Sequence, residues 1–254
     1  AEIILSLHYI HALGCVHKDI KPDNILIDKN GHLVLTDFGL SSYGFVSEES
    51  VQALGTFCTP DYAAPEILIS NTYSFASDYF ALGCMMYEFV VGYPPFNAST
   101  PEAIFMKIQE GVFVWPHDVE VSDKLKDLIK RLLNHLPEQR PTFNDIEKHP
   151  FFNGIHWSTL FDEKRDDIFV PELETEKDTG YFEDERMIKQ MHMKKSDIII
   201  KPSSKIDVVK RKESPIVPSS VEFGNFDAKN VDNLVEENRK LYAKEFAKFE
   251  ATNL

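Results

Sequence analysis

The sequence is short of several things. Only three of its 254 residues are cysteines. Cys15, Cys58 and Cys84 are widely spaced and odd in number, which argues against a disulfide framework or a zinc site. That usage suits a reducing compartment, the cytoplasm or the nucleus. No apolar run approaches the length of a membrane span, and no signal-peptide pattern opens the chain. Basic residues are scarce: 27 Lys and Arg stand against 41 Asp and Glu, a formal net charge of −14. The deficit is uneven, with 10 basic against 20 acidic residues through Leu160 and 17 against 21 beyond it. An acidic first part disfavours nucleic acid and favours basic peptides as partners, although acidity that only aids solubility accounts for it equally well.

What is present suffices for one sizeable core, since 43% of the residues are hydrophobic. One stretch concentrates polar groups between two apolar runs: His17-Lys18-Asp19-Ile20-Lys21-Pro22-Asp23-Asn24. It sets a carboxylate, an ammonium and an amide within the six residues Asp19 to Asn24. Upstream, Ile3, Ile4, Leu7, Ile10, His11 and Leu13 recur at helical spacing, and Gly14 is placed to end that helix. Downstream, Ile25 to Asp28 and His32 to Thr36 flank Lys29-Asn30-Gly31, a strong hairpin signal. The hairpin returns a second carboxylate, Asp37. Phosphoryl transfer needs such a set, because charge developing on phosphoryl oxygens calls for cations and cations call for oxygen ligands. Asn24 and Asp37 are hard donors suited to magnesium, Lys21 can neutralise the moving phosphoryl group, and Asp19 can orient and deprotonate a hydroxyl.

These residues resemble the catalytic loop of eukaryotic protein kinases, and Asp37-Phe38-Gly39 resembles their metal-binding motif. Further on, Thr56-Phe57-Cys58-Thr59-Pro60-Asp61-Tyr62 is similar to the Thr-Phe-Cys-Gly-Thr-Pro-Glu-Tyr stretch of the AGC group, without the Gly before Thr59. Ala64-Pro65-Glu66 resembles the end of the activation segment. The resemblance implies a serine/threonine protein kinase using ATP and Mg2+ on protein substrates, with a possible role for an upstream activating kinase. It implies Asp19, Lys21 and Thr59 in catalysis. Lys21, Asn24, Leu26, Thr36 and Asp37 would contact nucleotide, with Asn24 and Asp37 on the metal. Asp23 and Glu88 would meet substrate, and Thr56 would be the regulatory phosphosite. Its phosphate would find Lys18 where most of the family has arginine. Three of these positions have plainer readings as well: Thr56 as an ordinary loop threonine, Thr59 as a turn residue before proline, Glu88 as the partner of an internal cation.

No G-x-G-x-x-G loop, strand lysine or partner glutamate helix occurs anywhere in the sequence. The expected fold is therefore α+β, mainly α: the large C-terminal lobe of a kinase with one β-hairpin, over residues 1–160, the small N-terminal lobe being absent. Alone, such a lobe is expected to be inactive, and an inactive scaffold is the rival reading. The near-continuous apolar run from Tyr73 to Val91 predicts a buried helix capped by Ser77 or Asp78, with Asp78 bracing the catalytic loop by resemblance. Helices are also predicted over Pro101 to Gly111 and Ser122 to Asn134, and a buried Glu66–Arg140 pair by resemblance. Residues 161–254 alternate charged clusters with Ser and Pro and read as an extended or disordered tail. Within it Phe223-Gly224-Asn225-Phe226 resembles an AGC tail motif, most like the Greatwall/MAST branch, or serves as a staple for a final helix over 231–249.

Overall fold

The computed structural model describes residues 1–43, 51–52, 59–161, 169–172 and 175. Thr56, Cys58, the Phe223–Phe226 motif and the expected terminal helix lie outside the described residues.

Helix α1 (Glu2–Ala12) buries Ile3, Ile4, Leu7 and Ile10 on one face and ends where Gly14 takes a φ of +70°. A short strand β1 (Cys15–Val16) leads into the polar loop, and a turn of 3-10 helix (Pro22–Asn24) closes it. The hairpin follows as β2 (Ile25–Ile27) and β3 (Leu33–Leu35), antiparallel, with Ile25 opposite Leu35 and Ile27 opposite Leu33. Its turn is fixed by the Asp28 side chain, which accepts the N–H groups of Asn30 and His32, while Gly31 sits at φ +85°. Strand β4 (Ser42–Tyr43) pairs with β1, and β5 (Val51–Gln52) pairs with β6 (Thr72–Tyr73), which follows helix α2 (Pro65–Ser70).

Helix α3 (Phe75–Val91) is the spine. Tyr79, Leu82 and Met85 pack with α1 and β3 residues in one apolar cluster, and Phe80, Cys84 and Tyr87 face a second with Ile104, Ile108 and Phe96. A helix buried on both sides needs apolar residues nearly all round, which is how this run reads. Each fully buried side chain of this size contributes roughly 1.5–3 kcal/mol. Gly83 marks the closest approach: a Cβ there would sit 2.9 Å from the Leu132 Cβ. The helix begins one turn earlier than expected. Its N-cap is Ser74, in a reciprocal capping box with Ser77, and this frees Asp78 for other partners.

Helices α4 (Pro101–Glu110) and α5 (Asp123–Leu132) have the ends the sequence suggests, with Thr100 and Ser122 as N-caps and Gly111 left-handed after α4. Only one face of α5 is buried, through Leu128, Ile129 and Leu132. Helix α6 (Phe143–Glu147) precedes a 3-10 turn (Pro150–Phe152) that His149 caps by accepting the Phe151 N–H.

A buried ion pair fastens α2 to the chain beyond α5. The Arg140 guanidinium meets Glu66 through two bonds of 2.7 Å. Its other N–H groups go to the carbonyls of Asn134, Ala76 and His135, so all five donors are used. Ser77 donates a further bond to the same Glu66 carboxylate at 2.8 Å. Such a pair contributes little net stability, but breaking it on one side leaves a buried charge uncompensated. Arg140→Met is expected to lower unfolding free energy by about 3–5 kcal/mol. Denaturant titration is the check, and an unchanged midpoint would show that the pair is not a lock.

Candidate active site

The polar loop is shaped from beneath. Asp78, 1% exposed, accepts the backbone N–H groups of His17 and Lys18, both at 2.9 Å, on its two oxygens. His11 Nε2 donates to the same carboxylate at 2.8 Å. These bonds hold Lys18 at φ +73°, a conformation that an ordinary side chain adopts only when its surroundings enforce it. His17 is fixed as well. Its Nε2 must donate to the Thr36 carbonyl (3.0 Å), since a carbonyl only accepts, and its bare Nδ1 then takes the Asp19 N–H (3.3 Å).

Above this brace the predicted catalytic residues meet. Asp19 Oδ2 receives Lys21 Nζ at 2.7 Å and Asn24 Nδ2 at 2.9 Å, and Asp19 Oδ1 receives the Thr59 hydroxyl at 2.9 Å. Lys21 also reaches Thr59 Oγ1 at 3.2 Å. Thr59 enters from a different segment, just before the 3-10 turn Pro60–Tyr62, so the loop and the following segment are tied through one carboxylate. Asn24 donates its second amide hydrogen to the Asp19 carbonyl at 2.7 Å. With both hydrogens committed, its Oδ1 has no partner among the described residues although Asn24 is only 5% exposed.

The hairpin carries the rest. Thr36 directs its N–H and its hydroxyl to the Asn24 carbonyl, at 2.9 and 3.2 Å, which sets the two ends of the hairpin side by side. What Thr36 leaves uncommitted is its methyl group. Leu26 and Val34 lie opposite each other on the hairpin, both exposed. Asp37 follows with φ +60° and is exposed; its Oδ1 accepts the Gly39 N–H at 3.2 Å, and its Oδ2 has no partner among the described residues. Asp37 Oδ2 and Asn24 Oδ1 are thus two uncommitted hard oxygens. That donor set fits Mg2+, which takes one or two protein ligands and completes its shell with phosphate oxygens and water. Among the described residues no cluster of three His, Cys, Asp or Glu forms a protein-only metal cage.

The candidate substrate residues lie to one side. Glu88 is half-buried and accepts the Tyr62 hydroxyl, with no internal cation paired to it among the described residues. Burial, and then Glu88 itself, push the Tyr62 phenol well above its ordinary value, so it remains a donor. Asp61 and the exposed Asp23 add to the same negative field. Lys18 is less free than a phosphate receptor would be. Its ammonium bonds the Ser42 hydroxyl and lies 4.6 Å from the Tyr73 ring centroid, and burial lowers its pKa against a partial offset from Asp78. Sequence reasoning missed the part played by His11, which it counted with the apolar positions of α1. The polar partner that sits one helix away has no local signal.

Comparisons with known proteins agree in kind. A model of the protein kinase domain matches residues 1–152. The chain is similar to the probable serine/threonine protein kinase IRE4 of Arabidopsis thaliana, 41% identical over 215 residues, which covers 72% of this chain and 20% of that protein. It is similar to the serine/threonine-protein kinase CBK1 of Eremothecium gossypii at 33% over 247 residues, covering 72% and 34%. To gad8 of Schizosaccharomyces pombe it is 35% identical over 189 residues, covering 73% and 32%. The chain therefore spans a fifth to a third of the length of these relatives.

The brace beneath the loop is open to a direct test. Asp78→Asn turns one of three accepting positions into a donor, leaving a backbone N–H or His11 unsatisfied at about 1–3 kcal/mol. Amide exchange at His17 and Lys18 should quicken by about tenfold or more. Unchanged exchange at both would mean that the carboxylate does not hold the loop.

Proposed function

The chain belongs to the protein kinase family, and from that membership we propose that it carries the transfer machinery of a serine/threonine protein kinase: the γ-phosphate of ATP passes to a protein hydroxyl. The observation that carries this reading is the closed Asp19–Lys21–Asn24–Thr59 cluster beside two uncommitted oxygens on Asn24 and Asp37. Asp19 receives the substrate hydroxyl's hydrogen bond and takes its proton as the phosphoryl group moves. Lys21, already at the carboxylate, balances charge growing on the phosphoryl oxygens. Thr59 keeps Asp19 aimed by occupying its second oxygen. Asn24 and Asp37 would hold Mg2+, which neutralises the phosphates and fixes their geometry when bound. Leu26 and the Thr36 methyl would give the adenine an apolar surface.

In this reading residues 1–160 form the large lobe and 161–254 an AGC-type tail. The substrate favoured is basic: Glu88 with Asp23 and Asp61 provides a negative field for an arginine near the phosphoacceptor. Thr56 is the proposed phosphosite, and the compartment the cytoplasm or nucleus. Cys15 and Cys84 are buried thiols outside any disulfide, in keeping with a reducing setting.

The experiment is phosphorylation of a serine peptide with basic residues by the full-length protein that contains this chain. Asp19→Ala should lower turnover by about 10²–10⁴-fold with the fold intact. Turnover that survives in the variant would remove Asp19 from the chemistry. No turnover in the unmodified protein would leave the scaffold reading in its place.

A further inference from the structure

Glu2 opens α1 and is 6% exposed, yet it has no place in the chemistry above. Its carboxylate reaches out of the helix to the hairpin. Oε2 accepts the Leu33 N–H at 2.7 Å, and Oε1 accepts His32 Nδ1–H at 3.0 Å. The strand pattern explains why this bond matters. Asp28 donates to the His32 carbonyl and Thr36 to the Asn24 carbonyl, so the pairs 28–32 and 24–36 bond across the hairpin. Bonding pairs alternate along an antiparallel ladder, and Leu33, between them, must point its N–H away from β2. That half-buried edge donor would have no partner in the hairpin without Glu2.

The hairpin packs one face on the core through Ile25, Leu33 and Leu35, and the His17 ring holds the Thr36 carbonyl; its other face is bare. It has three residues a side, and Leu26, Ile27 and Val34 are all exposed. Its two ends are the places where the uncommitted oxygens sit, Asn24 before β2 and Asp37 after β3. Strand β3 is pinned at its far end by Thr36 on Asn24 and at its near end by Leu33 on Glu2. Asp37 follows β3 directly after Thr36, so the pose of the strand on α1 bears on where its carboxylate lies.

We propose that Glu2 is a positioning residue for the cation: by holding Leu33 and His32 it sets the hairpin's pose on α1 and hence the spacing of the Asn24 and Asp37 oxygens. The inference rests on the kinase reading of those two residues. Outer partners of this kind are worth about 10–100-fold in metal affinity when lost.

The test uses isotope-labelled residues 1–254 titrated with Mn2+, which broadens nearby amide signals. The readouts are the Asn24 side-chain amide and the Gly39 backbone amide, with melting temperature measured alongside. Glu2→Leu, close in size and without acceptors, should raise the Mn2+ concentration for half-broadening by about tenfold. Glu2→Gln should restore most of the affinity, because its oxygen can take Leu33 N–H and its amide can donate to His32 in the other tautomer. If Glu2→Leu fails to fold, Glu2→Asp, which keeps the charge but loses reach, should show the same shift. A lowered melting temperature with the midpoint unmoved would overturn the proposal and leave Glu2 a stability residue. Asp37→Asn separates the two readings. If it leaves the broadening untouched the metal assignment itself fails, whereas an Asp37 effect without a Glu2 effect sinks only the positioning role.

Discussion

One buried carboxylate organises the site. Asp78 sits at 1% exposure in α3 and has to satisfy its charge there, and the donors that do so are two backbone N–H groups of the catalytic loop and the ring of His11. A buried charge without such partners would cost several kcal/mol. The loop therefore takes the one shape that delivers both N–H groups together, including the left-handed Lys18. The strain at Lys18 is offset where it arises. Once His17 and Lys18 are fixed, the His17 ring reaches the Thr36 carbonyl and sets the hairpin, and Asp19 follows in register. The spine helix positions the polar loop through one side chain.

The Glu66–Arg140 pair does a different job with the same kind of group. It joins segments 74 residues apart in sequence, and every donor of the guanidinium is used. Its bonds fix α2 against the helical part, and α2 follows directly on the Thr59–Ala63 segment that caps Asp19. Two buried carboxylates thus act on the Asp19 loop, Asp78 directly and Glu66 through α2 and the Thr59–Ala63 segment.

Much of this was legible in the sequence, and for identifiable reasons. The α1 periodicity, the Asn30-Gly31 turn, and Pro101 and Gly111 at the ends of α4 are local signals, and local signals survive folding. The α3 start was misplaced because Ser77 and Asp78 both look like caps; the reciprocal box at Ser74 leaves Asp78 for a contact 60 residues away. His11 and Glu2 were not legible as polar anchors. Each sits among apolar neighbours in α1, and what makes each a bonding residue is a partner on another element, Asp78 for one and β3 for the other. Lys18 was legible as a charge but not as a group already engaged by Ser42 and Tyr73.

The site's polar groups divide by whether their bonding capacity is exhausted. Asp78, Arg140 and the Thr36 hydroxyl are bonded to the chain itself, and they have a structural task. Asn24 Oδ1, Asp37 Oδ2 and one oxygen of Glu88 have no partner among the described residues. Of the three only Asn24 is buried, so its bare oxygen costs free energy until it is filled, whereas Asp37 is exposed and Glu88 half-buried, within reach of water. The three are held in place by bonds to their remaining atoms: Asn24 by Asp19, Asp37 by Gly39, Glu88 by Tyr62. Each is thus oriented before any ligand arrives, and the ordering entropy that binding would otherwise cost has already been met in folding.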